Sequence, residues 1–383
     1  MNVNEFIGSE KLKMPIKWRE EDSRGCHFAI NGRLIGYINH LDHLDDQDDL
    51  FKNNRWNLDL IEVKKLASKF ALGLINVLSK YLNESNRYAA YELFKNTLEE
   101  EHKYGSGSSI RLEELLLVQR IPDISYRIRS SESFLLDQKD LFHIPFDERY
   151  KVADERYSVS GNPCLYLSNS LYLCFREKQL ESYNNQYASL VRYFPFDEIK
   201  NYVLDLTWDR VLVDSESKLR FIITWPLLAA CNIFVHDYDH KFRCEYLIPQ
   251  MILNWVMHGR QRILGVKYNS TKINPNVKDI GVFYNYAFPA KSNLGLEYGV
   301  ELTEYFHLTK PIHMGESLQA NSRIFKLQHQ VEQVDLFDTV VNYEKTQFAV
   351  AENYLLGQLT YKVLNSRYNF SDYTNLLMRK RKK

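Results

Sequence analysis

The chain has 383 residues, 45% hydrophobic and 26% charged, the profile of a globular protein with room for about two domains. Lysine plus arginine equals aspartate plus glutamate at 49 each, which argues against a nucleic-acid binder, because such domains carry a basic excess. The five cysteines, Cys26, Cys164, Cys174, Cys231 and Cys244, are widely spaced and form no CxxC pair. Free thiols in a reducing cytoplasm are expected, not a disulfide framework or a zinc knuckle.

The opening MNVNEFIGSEKLKMP lacks the charged-then-apolar pattern of a signal peptide. HFAINGRLIGYI reads as a hairpin about Asn31-Gly32, a good tight-turn dipeptide between apolar runs. NHLDHLDDQDDL, residues 39–50, offers two His and five Asp but neither the turn glycine nor the closing glutamate of a calcium loop, so it reads as a solvated acidic loop. From Leu60 to Leu82, apolar residues recur at three- and four-residue spacing, so WNLDLIEVKKLASKFALGLINVLSKYLN is one long amphipathic helix. A second helix is expected through YAAYELFKNTLEEEHK. KYGSGSSI then reads as a flexible joint closing a mixed, partly helical domain over 1–110.

Beyond it, ISYRIR, CLYLS, YVLDLTW, LRFIITW, ILGVKYN and IGVFYNYAF are expected strands, and LESYNNQYASLVRYF and YLIPQMILNWVMHG expected helices. No regular βαβ alternation and no GxGxxG after a strand point to an α+β domain over 119–315 and away from a dinucleotide-binding doubly wound fold. The apolar run from Phe221 to Val235 is broken by Pro226 and Asn232 and is too short to cross a bilayer. HDYDH, residues 236–240, has no HExxH glutamate and reads as a polar turn; no metal site is expected. No GxSxG elbow and no Walker loop occur. Residues 316–383 read as a helical extension that ends in MRKRKK, a solvated basic tail.

One set of residues does not fit core building. Tyr126-Arg127 lies in YRIR, and RYSVSGNPCLYLSNSLYLCFRE carries Arg156, Tyr157, Tyr166 and, eleven residues after that tyrosine, Glu177. EYLIPQ follows, then GVKYNSTK with Ser270, then NYAFP and LTKPI. The ordered set resembles the RES domain family over about residues 124–311. The resemblance implies a fold like that of ADP-ribosyltransferases, with a cleft for NAD as substrate and no further cofactor. Many members are the toxin half of a toxin–antitoxin pair and cleave the nicotinamide N-glycosidic bond by hydrolysis or phosphorolysis. Carried over by motif, Glu177, Arg127 and Tyr166 would act on the bond, and Arg156, Tyr157 and Ser270 would bind the substrate. Cys174 and Phe175 stand where the family often has a small residue, which would make the pocket wall bulkier.

Elementary chemistry agrees with these roles. Guanidinium forks suit the pyrophosphate oxygens. A tyrosine face suits the cationic nicotinamide ring. A carboxylate stabilises the oxocarbenium-like sugar as the glycosidic bond breaks. The expected partners are NAD and an inhibitory antitoxin-like protein, with self-association left open. Three rival readings remain: ADP-ribosyl transfer to a macromolecule, an interaction module that kept the fold without turnover, and an aromatic-rich core in which these residues are structural, their charges mutually paired or exposed.

Overall fold

A computed structural model describes residues 1–17, 25–45, 48–105, 108–135, 137–180, 182–194, 201–210, 212–234, 241–259, 262–271, 283–291, 295–315 and 347–365. The chain divides into two compact units, Met1–Gln119 with Leu204–Gly259, and Arg120–Val203 with Arg260–Lys383. The stretch 204–259, expected inside a continuous 119–315 domain, thus belongs to the N-terminal unit. The HDYDH motif and the MRKRKK tail lie outside the described residues.

The first unit is mainly helical: α1 (Val3–Ile7), α2 (Cys26–Leu41), α3 (Leu60–Leu82), α4 (Arg87–Glu99), α5 (Leu112–Leu115), α7 (Ser215–Cys231) and α8 (Leu247–His258). α3 is the expected long helix; Asp59 caps it by accepting the Glu62 amide at 2.8 Å, and Val63, Leu66, Phe70, Leu74, Val77 and Leu78 form its buried face. Ile61, counted in the apolar stripe, is 74% exposed.

The hairpin expected about Asn31-Gly32 is instead the middle of α2. Ile30, Leu34, Tyr37 and Leu41 are buried at helical spacing, and a Cβ at Gly32 or Gly36 would meet nothing within 4 Å. The period of the buried residues outweighed a turn dipeptide. On either side of Ser106 and Gly107, which lie outside the described residues, the expected joint is strand: β1 (Glu101–Tyr104) pairs antiparallel with β2 (Ser108–Arg111), and Gly105 follows β1 at φ +54°. In the acidic loop, Asp45 meets the N-terminal amine at 2.9 Å and Asp48 accepts the Leu50 amide. No group of three metal-capable side chains occurs among the described residues.

LRFIITW, expected as a strand, lies in α7, which is buried from Phe221 to Cys231 without a break. An element covered on every side has no polar face to betray its period, and a short apolar run then reads as either helix or strand. Pro226 sits inside α7 and cannot donate to the carbonyl of Ile222 one turn back. The Tyr37 hydroxyl takes that carbonyl instead, with its ring stacked on Trp225 at 4.5 Å. Tyr37→Phe is therefore expected to cost about 1–3 kcal/mol, because a buried acceptor is orphaned. In a Pro226→Ala background, where the helix can supply its own N–H, the cost should shrink. Urea melts of the two single variants and the double variant measure that coupling.

The second unit is built on a sheet of nine described strands. They are β3 (Val118–Arg120), β4 (Ile124–Ser130), β5 (Cys164–Ser168), β6 (Gln186–Tyr193), β7 (Tyr202–Asp205), β8 (Ile263–Asn269), β9 (Tyr284–Pro289), β10 (Phe306–Leu308) and β11 (Ile312–His313). Their order is β10-β6-β4-β5-β9-β8-β7-β3, with β11 also paired to β6, and the unit boundaries fall inside β3 and β7. α6 (Leu171–Glu177), α9 (Val300–Tyr305) and α10 (Gln347–Asn365) complete it. The class is α+β. β6 replaces the helix expected through LESYNNQYASLVRYF; its first six residues are all buried, so alternation is invisible in the sequence.

Two apolar clusters form from alternate strand residues. Leu165, Leu167, Tyr286 and Phe288 pack with Tyr193 and Phe306 in one, and Tyr126, Ile128, Ala188 and Leu190 pack with Phe175, Phe348 and Leu355 in the other. Gly265 is required by β9: a Cβ there would come within 2.6 Å of the Phe288 ring. Among the described residues no helix is long and apolar enough to cross a membrane.

One buried histidine gives this unit a pH dependence. His143 is fully buried; its Nδ1 donates to the Ile144 carbonyl at 2.7 Å and its Nε2 accepts from the Gly299 amide at 2.9 Å. That pairing needs the neutral ring, and desolvation holds the group down to about 4 from 6.5. Because the folded value lies below the unfolded one, stability is complete above 6.5 and is lost as pH falls towards 4. Denaturant melts at pH 7 and pH 5 should differ by about 2 kcal/mol from this group alone. His143→Gln should remove most of that difference.

Candidate active site

Of the candidate residues, Arg127 lies where β4 and β5 part. Those strands pair at one position, Tyr126 opposite Ser168. Past it the Arg127 guanidinium takes the place of a strand partner, its Nη1 donating to the Tyr166 carbonyl at 2.7 Å and its Nη2 to the Phe142 carbonyl at 3.3 Å. Arg127 is half-buried, and its Nε is buried without a hydrogen-bond partner among the described residues. Desolvation, with repulsion from Arg129 behind it, lowers the group to about 10, so it stays charged at neutral pH. Two of its donors are thus committed to the main chain.

Arg156 and Tyr157 occupy the two central positions of a tight turn. Glu155 and Ser158 close it with a pair of main-chain bonds, at 2.9 and 3.2 Å. Both central residues are buried, although one is an arginine; its Nη2 donates to Thr271 Oγ1 at 3.1 Å. Ser270, the expected hydroxyl, is buried beside Thr271 just past the end of β8. The Tyr157 ring lies 4.4 Å from that of Tyr268.

Tyr166 sits in the middle of β5 with its hydroxyl buried, close to Ser158 and to the Tyr157 backbone. Tyr268 lies within electrostatic reach of Tyr166, Glu177 and Tyr157, and desolvation is the main reason its hydroxyl is pushed far above the ordinary range. Glu177 ends α6, and its Oε1 accepts from Asn285 Nδ2 at 2.6 Å. Asn285 Oδ1 in turn accepts from Ser168 Oγ at 2.6 Å. Register explains the meeting: Ser168 of β5 and Tyr268 of β8 both oppose Asn285 of β9, so the three share one sheet face. The Lys178 ammonium, next after Glu177, is lowered to about 8 by desolvation and then by repulsion from Arg127.

Cys174 and Phe175, expected to narrow the pocket, serve the packing of α6. The Cys174 thiol donates to the Tyr126 carbonyl, and the Phe175 ring packs on Tyr183 at 4.9 Å and Phe348 at 5.6 Å. Tyr246, Pro249 and Gln250 of EYLIPQ fall in the first unit, Tyr246 just before α8 and the other two on it. Sequence reasoning missed Asn285, Ser168, Tyr268 and Thr271 as site residues. Tyr268 could have been found, since it stands two residues before Ser270 at the end of an expected strand.

The second unit thus carries one carboxylate, Glu177, the tyrosines Tyr157, Tyr166 and Tyr268, and the cations Arg127, Arg156 and Lys178. Over 347 residues the chain is 28% identical to a Bacillus subtilis (strain 168) protein described as "Putative toxin YopC". The match covers 82% of this chain and 75% of that protein. No family model and no solved structure matches the chain.

Proposed function

We propose that this protein is a toxin that cleaves the nicotinamide N-glycosidic bond of NAD, on a fold of the ADP-ribosyltransferase type. The observation that carries the reading is the Glu177 carboxylate, held by Asn285 at 2.6 Å within electrostatic reach of Tyr268, which is itself in reach of Tyr166 and Tyr157. The toxin role is supported by the similarity to the Bacillus subtilis protein. The reaction needs no general acid at the leaving group. As the bond from C1′ breaks, its electron pair goes to the pyridinium nitrogen, and nicotinamide departs neutral. Positive charge then builds on the ribose, where the Glu177 carboxylate stabilises it. Water or inorganic phosphate captures the cation and gives ADP-ribose or its 1-phosphate, with a proton released in the case of water.

Arg156 and Arg127 are the candidates for the pyrophosphate; Arg127 spends two donors on main-chain carbonyls, and Arg156 donates to Thr271. Tyr166 offers a half-buried ring for stacking on nicotinamide. A cytoplasmic setting, where NAD is the substrate, agrees with five free cysteines. A restraining antitoxin-like partner belongs to this proposal.

The test is incubation of the purified chain with NAD, with and without phosphate, and chromatography of the products. Nicotinamide release is the expected result, and the second product names the acceptor. NAD left intact under both conditions, with any bound partner removed, overturns the reading. Label from NAD carried onto a macromolecule would make the protein a transferase instead.

A further inference from the structure

We propose that Asn285 is the positioning residue that fixes the Glu177 carboxylate, and that Ser168 fixes Asn285. The inference rests on the reading of Glu177 as the group facing the reacting sugar. An amide has one accepting and one donating end, whereas an ionised carboxylate only accepts. The amide nitrogen must therefore face Glu177, and its oxygen must face a donor, which the Ser168 hydroxyl supplies. The two bonds, each 2.6 Å, thus run in one direction, from Ser168 through Asn285 to Glu177.

Ser168 and Asn285 are 5% and 3% exposed, so the bond between them is closed to water, and the amide that reaches Glu177 is itself buried. Asn285 is also flanked by paired strands on both sides, which leaves its side chain little freedom to swing. Glu177 needs such a donor for a physical reason: it is the last residue of α6, where the helix presents carbonyl oxygens and disfavours a negative charge. A lysine or arginine at position 285 would hold the carboxylate equally well but would cancel its charge. An amide orients the anion and leaves that charge available to a cationic sugar.

The experiment compares wild type, Asn285→Ala, Asn285→Asp and Ser168→Ala in steady-state NAD cleavage across the acid and neutral range. A carbon-13 NMR titration of the glutamate carboxyls accompanies it, with Glu177→Gln assigning the signal. Asn285→Ala should lower kcat by about 10–100-fold with KM within about threefold, since orientation in the transition state is lost and not substrate binding. Asn285→Asp sets a second carboxylate against the first, so the acid limb of kcat and the Glu177 titration should both move up by about one pH unit or more. Ser168→Ala, which frees the amide to rotate, should cost roughly 3–10-fold in kcat. It carries the same test if Asn285→Ala does not fold.

Wild-type kcat in Asn285→Ala, or an unmoved Glu177 titration in Asn285→Asp, overturns the assignment. If wild type leaves NAD intact, the proposed activity falls, while the carboxyl titration still decides what Asn285 does to Glu177.

Discussion

Glu177→Gln is expected to lower nicotinamide release by about 10²–10³-fold, or ~3–4 kcal/mol in the barrier, while the protein stays folded. Glutamine keeps the volume and keeps an oxygen to accept from Asn285, so the bond across to β9 survives. What it loses is the negative charge. A uniform rise in KM with kcat unchanged would show a binding role instead. Matched thermal melts, beside product chromatography of both proteins, separate chemistry from folding. Wild-type turnover in the variant would remove Glu177 from the mechanism.

The second large effect is expected at Arg127, in stability first. Arg127→Ala removes the donors that hold the Tyr166 and Phe142 carbonyls where β4 and β5 separate. Leaving those acceptors unpaired should cost about 3 kcal/mol, read as a lower urea midpoint with an unchanged slope. Arg127→Lys should recover only part of this, since an ammonium cannot fork to two carbonyls as a guanidinium does. If Arg127→Ala melts like wild type and loses NAD binding alone, the guanidinium faces the ligand and is not a strut.

The strands that carry the site were legible because they are short runs of β-branched and aromatic residues: ISYRIR, CLYLS, ILGVKYN and the run ending in NYAF lie where expected. α7 and β6 were not, and for one shared reason. Both are covered on every side, and full burial erases the polar stripe or alternation that tells a helix from a strand. α2 failed differently, because Asn31-Gly32 favours a turn only where the flanking apolar residues do not keep helical step. Within the candidate site, Arg156, Tyr166 and Glu177 stood out as charge and aromaticity in a compact stretch, and Tyr157 came only from the family resemblance. Asn285 lies 117 residues from Ser168 and 108 from Glu177, and only strand register brings them together. No local pattern encodes that.

α6, which carries Glu177, is also held at its other end. Its first amide, that of Leu171, donates to Glu352 of α10 at 2.6 Å, and the Tyr172 and Phe175 rings pack on Phe348 of the same helix. The acceptor arrives 181 residues after the donor. During synthesis, every nascent chain that ends before Glu352 has its Glu177-bearing helix without that cap and without the ring that seats it. The Glu177 carboxylate is thus translated long before the residues that seat its helix, so a truncation upstream of Phe348 would leave α6 without the Glu352 cap and without that ring.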